Sequence, residues 1–498
     1  MKVALISPYS DVFSPGVRSI SAYLRDGDVD TRLIFLPNLY VKQVLQEFLE
    51  PYSPELLEGV AALCQDVDMV AVSLMTNLFS RAVQLTSYLK ERLSVPIVWG
   101  GIHPTIRPEE CIRHADIVVV GEGEETMLEL AQRIAGGEPY DDVKNLCVKT
   151  EGGIRKNPVR RLIRDLDSIP PPDFDNPEYF VFDPDVRKFV VPDLKVLKRL
   201  HGKGPLHTRG ELNYQTITTR GCPFNCAFCG NSALTKLYGR KGYLRRRSVD
   251  SVISELVAVR RRYDFINRIC FFDDSFLAGT TKDIQQFASE YKDKVALPLF
   301  CLASPSNITP EKLEMLVDAG LSALQVGIQT GSARVNALYN RTVKNEEVLR
   351  AAELIHTYAG RLHPLYDVIV DNPYETVRDG IDTVNLLMHL KRPFTIQIFS
   401  LTLFPGTELY ERASRDGLIR DEAKEIYNKF YMRRQGRYPT LLMALVNRGA
   451  PRSLMRFLTS KWVVKLLSGS WTRPFYRFLY ILNEKTILAK NRILPRAG

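Results

Sequence analysis

Two series of short apolar runs, each run followed by a segment of helical period, constrain this chain more than any other feature of its sequence. The first series is Val3-Ala-Leu-Ile-Ser7, Arg32-Leu-Ile-Phe-Leu36, Met69-Val-Ala-Val-Ser-Leu74, Pro96-Ile-Val-Trp99 and Asp116-Ile-Val-Val-Val120. β-Branched runs separated by helices predict a parallel sheet buried on both faces, a doubly wound α/β unit over residues 1–140. A ligand of such a sheet lies at the carboxyl ends of its strands. Two glycine-bearing turns fall there, Gly100-Gly-Ile-His-Pro-Thr105 and Gly121-Glu-Gly123.

The second series predicts strands near Thr216–Thr219, Arg268–Phe272, Leu297–Leu302, Ala323–Ile328, Leu365–Val370 and Thr395–Leu401. Helices are expected between them at Val249–Tyr263, Pro310–Asp318, Asn345–Tyr358 and Glu375–Leu390. Six such units over residues 215–412 fit a partial (βα)6 barrel of TIM type, with its chemistry at the strand carboxyl ends. Residues 141–214 carry Pro170-Pro-Pro-Asp173 and a Lys/Arg/Pro-rich stretch, and read as a linker. Residues 413–498 mix Phe, Trp, Tyr and Leu with Arg and Lys and read as helices.

Between the first two strands of the second series stands TTRGCPFNCAFCGNS, residues 218–232, with Cys222, Cys226 and Cys229 inside eight residues. Gly221 and Pro223 favour a loop, which can wrap three thiolates around a metal centre. Structural zinc wants four protein ligands, commonly as two separated pairs, and no second pair follows; a three-thiolate zinc is the competing reading. A four-iron cluster held by three cysteines leaves one iron open for a substrate or cosubstrate, so the missing fourth ligand becomes the working feature.

The CxxxCxxC spacing, with Phe228 before its last cysteine and a strand ahead of it, resembles the radical S-adenosylmethionine (SAM) superfamily. The segments 270–276, 326–332, 367–376 and 401–407 look like the strand ends of its cobalamin-associated branch. The resemblance implies that Cys222, Cys226 and Cys229 hold a 4Fe-4S cluster, that SAM chelates the open iron, and that its reductive cleavage gives a 5′-deoxyadenosyl radical that abstracts hydrogen. Asp273, Asp274, Ser304, Gln329 and Ser332 become candidate SAM contacts. For each of them the rival reading is a strand-end cap or turn residue. No catalytic base is named, because hydrogen abstraction by a radical needs none.

The unit ahead of the barrel is similar to a flavodoxin- or Rossmann-like cobalamin domain, and the whole chain resembles the anaerobic magnesium-protoporphyrin monomethyl ester cyclase and B12-dependent radical SAM methyltransferase family. That resemblance places Ser73, Gly100, Gly101, His103, Thr105, Gly121 and Gly123 at the corrin. One departure concerns the cobalt ligand: the DxHxxG pattern reads here Asp11-Val-Phe-Ser-Pro-Gly16, and Phe13 offers no lone pair. His103 is the alternative ligand, with a capping role as its rival.

The expected reaction is radical methylation, or a related transformation, of an unactivated carbon, with a flavodoxin- or ferredoxin-type electron donor and a small-molecule substrate, lipid-like or tetrapyrrole. Two alternatives compete. A transfer-RNA methylthiotransferase would carry a second cluster in its first domain, for which Cys64, Cys111 and Cys147 are the available thiols; their positions, in apolar helix and strand runs, read as core. A non-catalytic iron–sulfur sensor binding nucleic acid or membrane is the other. From Leu441 onward, seven Arg and four Lys stand against the single Glu484, so the tail alone carries the chain's formal charge of +10. With its aromatics this suits an anionic membrane surface, whereas the helical pattern argues against the β-barrel RNA module of the methylthiotransferases. The start of the chain lacks an export signal and no apolar stretch reaches the roughly 18 residues of a membrane span, so the expected location is cytoplasmic, with a peripheral membrane contact through the tail. Eight cysteines in that compartment read as ligands or core thiols, not disulfides.

Overall fold

Every run of the first series becomes a strand, and its alternate side chains enter two different cores. The computed structural model describes residues 1–8, 13–37, 50–201, 212–429, 436–472, 474–476 and 478–479. Strands β1 (Lys2–Ser7), β2 (Asp30–Phe35), β3 (Met69–Ser73), β4 (Ile97–Gly100) and β5 (Ile117–Val119) are parallel neighbours in the order β5-β4-β3-β1-β2. Val3, Leu5, Leu33, Met69 and Val98 face the helices Pro15–Asp26 and Glu124–Ala135. Ala4, Ile6, Ile34, Val70 and Trp99 face Pro54–Leu63 and Phe79–Lys90. The period of two along a strand separates these layers, and the order reverses between β1 and β3, where doubly wound sheets bind ligands.

The stretch expected to be a linker contributes instead to this sheet. β6 (Leu146–Thr150) and β7 (Gly153–Lys156) extend it antiparallel beyond β5, while β8 (Tyr179–Asp183) and β9 (Lys188–Val190) extend it beyond β2. β7 and β9 are the exposed edges, whereas Leu146, Cys147 and Val148 of β6 and Val181 of β8 are buried; the apolar stretches of β6 and β8 are short and stand among charged and proline-rich segments. The proline segment also has a fixed path. The Asp173 carboxylate accepts from Ser21 Oγ at 2.6 Å and Arg25 Nη1 at 2.8 Å, and its backbone oxygen from Arg18. Arg18 is buried with its guanidinium over Phe35, Phe174 and Tyr179, at 5.0, 4.6 and 4.7 Å from their centroids.

The second series forms the expected part-barrel. β10 (Asn213–Thr216) leads to a short antiparallel pair, β11 (Thr219–Arg220) and β12 (Arg245–Arg246). β13 (Arg268–Phe271), β14 (Leu299–Ala303), β15 (Leu321–Gln329), β16 (His363–Val370) and β17 (Thr395–Ser400) then follow β10 in one parallel six-stranded sheet. The first strand ends three residues earlier than the pattern suggests. Asp273, just past β13, draws the chain away: its Oδ1 accepts from Thr218 N at 2.9 Å and from the hydroxyls of Thr218 and Thr219 at 2.9 and 2.5 Å. Helices Val249–Arg262, Thr281–Lys294, Pro310–Ala319 and Val377–Met388 begin where Ser248, Thr280, Thr309 and Thr376 accept a backbone N–H three residues on.

Beyond the barrel come helices Tyr438–Asn447, Arg452–Leu458 and Lys461–Leu467, the last two separated at Thr459-Ser460. The expected helical region 413–498 lies partly outside the described residues, as do Asp11 and Val12. No helix among the described residues is long and apolar enough to cross a membrane.

Phe13, at the position a cobalt-ligating histidine would hold, is buried in an aromatic cluster joining the two sheets. Its ring lies 5.4 Å from Tyr214 on β10, 5.3 Å from Tyr263 and 6.0 Å from Phe174. Truncating a buried phenyl group in such a cluster costs about 3–5 kcal/mol. Phe13→Ala is expected to lower the thermal midpoint and to open the junction between the units to limited proteolysis; an unchanged midpoint would contradict the junction described here.

Candidate functional site

The loop that carries the three cysteines follows β11 and is held from both sides. Ala227 donates its N–H to Tyr339 O at 2.9 Å and accepts from Leu409 N at 2.9 Å, while the Phe228 ring meets Tyr339 edge-on at 4.8 Å. Cys222, Cys226 and Cys229 are each partly exposed. N–H donors point at each of them. Backbone N–H groups of Phe224 and Asn231 are directed at Cys222 and Cys229, the Asn231 amide is 3.7 Å from Cys229 Sγ, and Arg341 Nη1 is 3.7 Å from Cys226 Sγ. Burial pushes the Cys222 thiol up to about 12 and the Cys229 thiol up to about 11, so a metal must displace protons to bind here. Among the described residues no three His, Cys, Asp or Glu side chains converge on a single ion position. Thiols spread along a loop with N–H groups aimed at sulfur fit ligands of a multi-iron cluster, where each thiolate takes a different iron and hydrogen bonds to sulfur tune its potential.

A second network surrounds this loop. Tyr243 donates to Asn231 Oδ1 at 2.6 Å, and Arg341 Nη2 donates to Gly327 O at 2.8 Å. Asn231, Tyr243 and Arg341 were not among the residues expected from sequence; Asn231 lay within the quoted motif, whereas the other two are brought in by folding alone.

The candidate SAM contacts separate into two groups. Asp274 opens beside Cys222 and Cys229, held above the usual carboxylate range by desolvation. Ser304 is the first residue past β14 and Gln329, with φ of 69°, the last of β15, both at carboxyl ends of barrel strands. Asp273 and Ser332 have partners of their own within the protein. Asp273 grips Thr218 and Thr219 through one oxygen, its other oxygen lacking a hydrogen bond. Ser332 donates to Asp379 Oδ1 at 2.6 Å and caps the helix Ala333–Leu338.

Deeper on the concave face is a polar floor that sequence reading did not single out. Outward-facing Tyr366, Val368 and Val370 of β16 join the helix-packed core, so Asp367 and Ile369 face inward. Asp367 Oδ2 accepts from Gln325 Nε2 at 2.6 Å, Oδ1 has no hydrogen-bond partner, and burial pushes its carboxyl up to about 7. Gln397, its register partner on β17, has a buried amide oxygen equally unpartnered. The available signal was an Asp within an otherwise apolar strand.

At the switch point of the first sheet a cavity of about 340 Å³ opens toward the barrel. Ser73, Gly100, Gly101, Gly121 and Gly123 border it, Leu5, Val17, Ala71, Val98, Val119 and Met127 form its apolar depth, and Thr216, Ile217, Thr219 and Arg220 its barrel wall. Five of the seven residues expected at the corrin are therefore brought together. Two of the glycines are also required by the protein itself: at Gly101 (φ 103°) a Cβ would lie 2.7 Å from Leu74 O, and at Gly121 (φ 90°) 1.7 Å from the Tyr238 hydroxyl.

Thr105 and His103, also expected at the corrin, are not among the residues that border this cavity. Thr105 joins the two glycine turns, donating to Gly101 O at 2.8 Å and accepting from Gly121 N at 2.9 Å. His103 is wholly buried between Phe79 and Tyr427, its Nδ1 3.2 Å from Thr76 Oγ1, and burial lowers it to about 4. Its Nε2 has no hydrogen-bond partner and lies 3.9 Å from Glu110 Oε2.

Cys64, Cys111 and Cys147 are buried in the core of the first sheet, where desolvation raises all three thiols, and Cys270 and Cys301 are buried within β13 and β14. They are packing residues, and supply no donor set for a second cluster.

The two candidate centres meet at an ion network. Arg220, two residues before Cys222, donates to Glu124 and to Glu122 Oε1 at 3.1 Å; Arg245 Nη1 donates to Glu122 Oε2 at 3.0 Å. Burial opposes ionisation of Glu124, but the attraction of Arg220 outweighs it and holds the carboxyl below its usual range.

The profile of the Radical SAM superfamily matches residues 216–387, and that of the B12 binding domain matches residues 1–131. An uncharacterized methyltransferase of Pyrococcus horikoshii is 27% identical over 359 residues, 71% of each chain. Bacteriochlorophyllide d C-8(2)-methyltransferase of Chlorobaculum tepidum is 24% identical over 390 residues, 76% of this chain and 75% of its own. Among solved structures, the radical S-adenosylmethionine methyltransferase TsrM from Kitasatospora setae, with cobalamin and a 4Fe-4S cluster bound, shares the fold: the TM-score is 0.62 over 83% of this chain and 75% of that one, at 17% identity.

Removing Arg220 leaves Glu124 buried without its counter-charge, which costs about 3–5 kcal/mol. Arg220→Met is expected to be strongly destabilised at neutral pH, and Arg220→Met/Glu124→Gln to recover part of the loss. Because the folded value of Glu124 is lowered, its contribution is present above the ordinary 4.5 and fades as pH falls through the folded value. Denaturation midpoints measured from pH 3 to 7 check this: the acid-limb slope should shrink in Glu124→Gln.

Proposed function

We propose, for a chain that belongs to the radical SAM superfamily and carries a B12-binding domain ahead of its barrel, that it is a cobalamin-dependent radical SAM methyltransferase acting on an unactivated carbon. What supports this reading above all is the juxtaposition of the loop of Cys222, Cys226 and Cys229 with the cavity at the sheet's switch point, through the shared residue Arg220. The three cysteines would hold a 4Fe-4S cluster and the cavity would take cobalamin. Bound there, the cluster would supply electrons for cleavage of SAM, and cobalamin a transferable methyl group.

The chain's own residues supply position and exclusion of water. Arg341 and Asn231 steady the thiolates, and Asp274, Ser304 and Gln329 stand where SAM would enter. Asp367, Gln325 and Gln397 offer acceptors and an amide donor to whatever occupies the lumen. Among the described residues, no histidine borders the cavity. The substrate in this reading is an extended, largely apolar small molecule, a tetrapyrrole or lipid-like compound, which the methyltransferase of Chlorobaculum tepidum named for bacteriochlorophyllide supports. A flavodoxin- or ferredoxin-type protein would deliver the electrons, and the basic C-terminal region would meet a membrane surface.

Anaerobic reconstitution followed by metal, sulfide and corrinoid analysis tests the assignment. About four irons, matching sulfide and one corrinoid per chain are expected, with 5′-deoxyadenosine or methyl transfer from SAM on reduction. Stoichiometric zinc without iron would overturn it. Cys226→Ala is expected to retain the fold by circular dichroism and to lose SAM turnover by at least about a thousandfold, the open iron being the docking point.

A further inference from the structure

The C-terminal helices turn their buried side chains inward and a set of large apolar groups outward. Met455, Val463, Thr472 and Tyr476 are buried, and Met455 and Val463 belong to the same core as Tyr438 and Leu442 of the preceding helix. On the outer side, Phe457, Trp462, Leu466, Trp471, Phe475 and Phe478 are exposed; Trp462 is 70% and Trp471 71% accessible. Large apolar groups on a monomer scatter singly as a rule, and a run of them within about two dozen residues marks an interaction site. Their company is cationic. Arg452, Arg456, Lys461 and Lys465 are exposed on the same two helices, and the sequence carries no Asp or Glu between Ile426 and Asn483.

We propose that this outer face docks in the headgroup layer of an anionic bilayer, with the aromatic and Leu side chains entering the interface and the Arg and Lys heads pairing with lipid phosphate. Charge is what selects this occupant: a second copy would present the same four cations and repel, and a purely apolar partner would leave them unpaired. Trp and Phe with basic residues are the composition of monotopic anchors, whose long cationic stems lie along apolar surface while their heads reach the phosphates. The helices Arg452–Leu458 and Lys461–Leu467 have seven residues each, so they lie on a bilayer and do not span it. The proposal rests on these residues alone and is independent of the cofactor chemistry.

Three tryptophans in the chain make the test direct, because Trp99 is wholly buried and Trp462 and Trp471 are open. The full-length protein is mixed with phosphatidylglycerol or phosphatidylcholine vesicles and followed by co-sedimentation and tryptophan emission. Binding to the anionic vesicles, a blue shift, quenching by brominated acyl chains and release by salt are expected. Lys461→Glu/Lys465→Glu should weaken binding by about fivefold or more for each cation removed, with SAM turnover unchanged. Failure to sediment with phosphatidylglycerol, or equal affinity for both lipids, would overturn the proposal. So would tryptophan emission already shielded from aqueous quencher without lipid, since another part of the chain or a second copy would then cover the face.

Discussion

The pairing of Arg220 and Arg245 with Glu122 and Glu124 is the contact on which the arrangement of both centres depends. The acids stand in the turn after β5 that borders the cavity, and Arg220 stands on β11, which leads into the cysteine loop. Glu124 is almost inaccessible, and a buried carboxylate is tolerated when a counter-charge and hydrogen bonds replace its water. An apolar contact of equal area would hold the two units together as well, but with less control of angle, because dispersion contacts are not directional. Two guanidinium forks on two carboxylates have fixed planes and fixed partners, so they orient one loop against the other.

Around that pivot, the junction is closed by contacts of a different kind. Tyr238 at the end of the helix Gly230–Tyr238 accepts a hydrogen bond from Glu122 N at 3.2 Å and fills the space that a Cβ at Gly121 would need. The helix that follows the cysteines is thereby seated against the turn that follows β5. On the far side, Phe13, Phe174, Tyr214 and Tyr263 form an apolar seal. The ion network borders the cavity and the aromatic cluster ties the two units together elsewhere along the junction, which matters where two bound groups must meet, since a misplacement of about 1 Å can cost about a hundredfold in rate.

The strand order of both units was legible because their strands are buried on both faces and read as unbroken apolar runs. Strands β6 to β9 were not: the apolar stretches of β6 and β8, Leu146-Cys-Val148 and Tyr179-Phe-Val-Phe182, are short and stand among charged and proline-rich segments, and the edges β7 and β9 are largely exposed. The three cysteines were legible from spacing alone, as were five of the residues bordering the cavity, whose glycines fall at strand ends. His103 and Thr105 belong to the same motif yet face away, because the short helix Ile102–Ile106 turns the imidazole toward Phe79 and Tyr427. Local sequence fixes which residues share a turn; only packing decides which side of it faces a ligand. Arg341 illustrates the converse, reaching Cys226 from far along the chain.

Asp367 carries this reasoning into the barrel. A carboxyl group with one oxygen bonded to Gln325 and the other unpartnered is costly to bury, and native interiors seldom keep such a group without a use for it. Its placement gives the use a location. Ile369, two residues further along the same inward face of β16, packs with Ala227 and Phe228 of the cysteine loop. Two residues of strand span about 6.6 Å, so one rigid element sets both the position of the loop and the depth of the polar floor beneath it. A molecule held between them meets an open carboxyl oxygen and the Gln397 amide on one side and the three-thiol loop on the other. Because Asp367 and Ile369 share one strand, the depth of the floor and one of the loop's packing contacts are set together, beside the hydrogen bonds that Tyr339 and Leu409 make to Ala227.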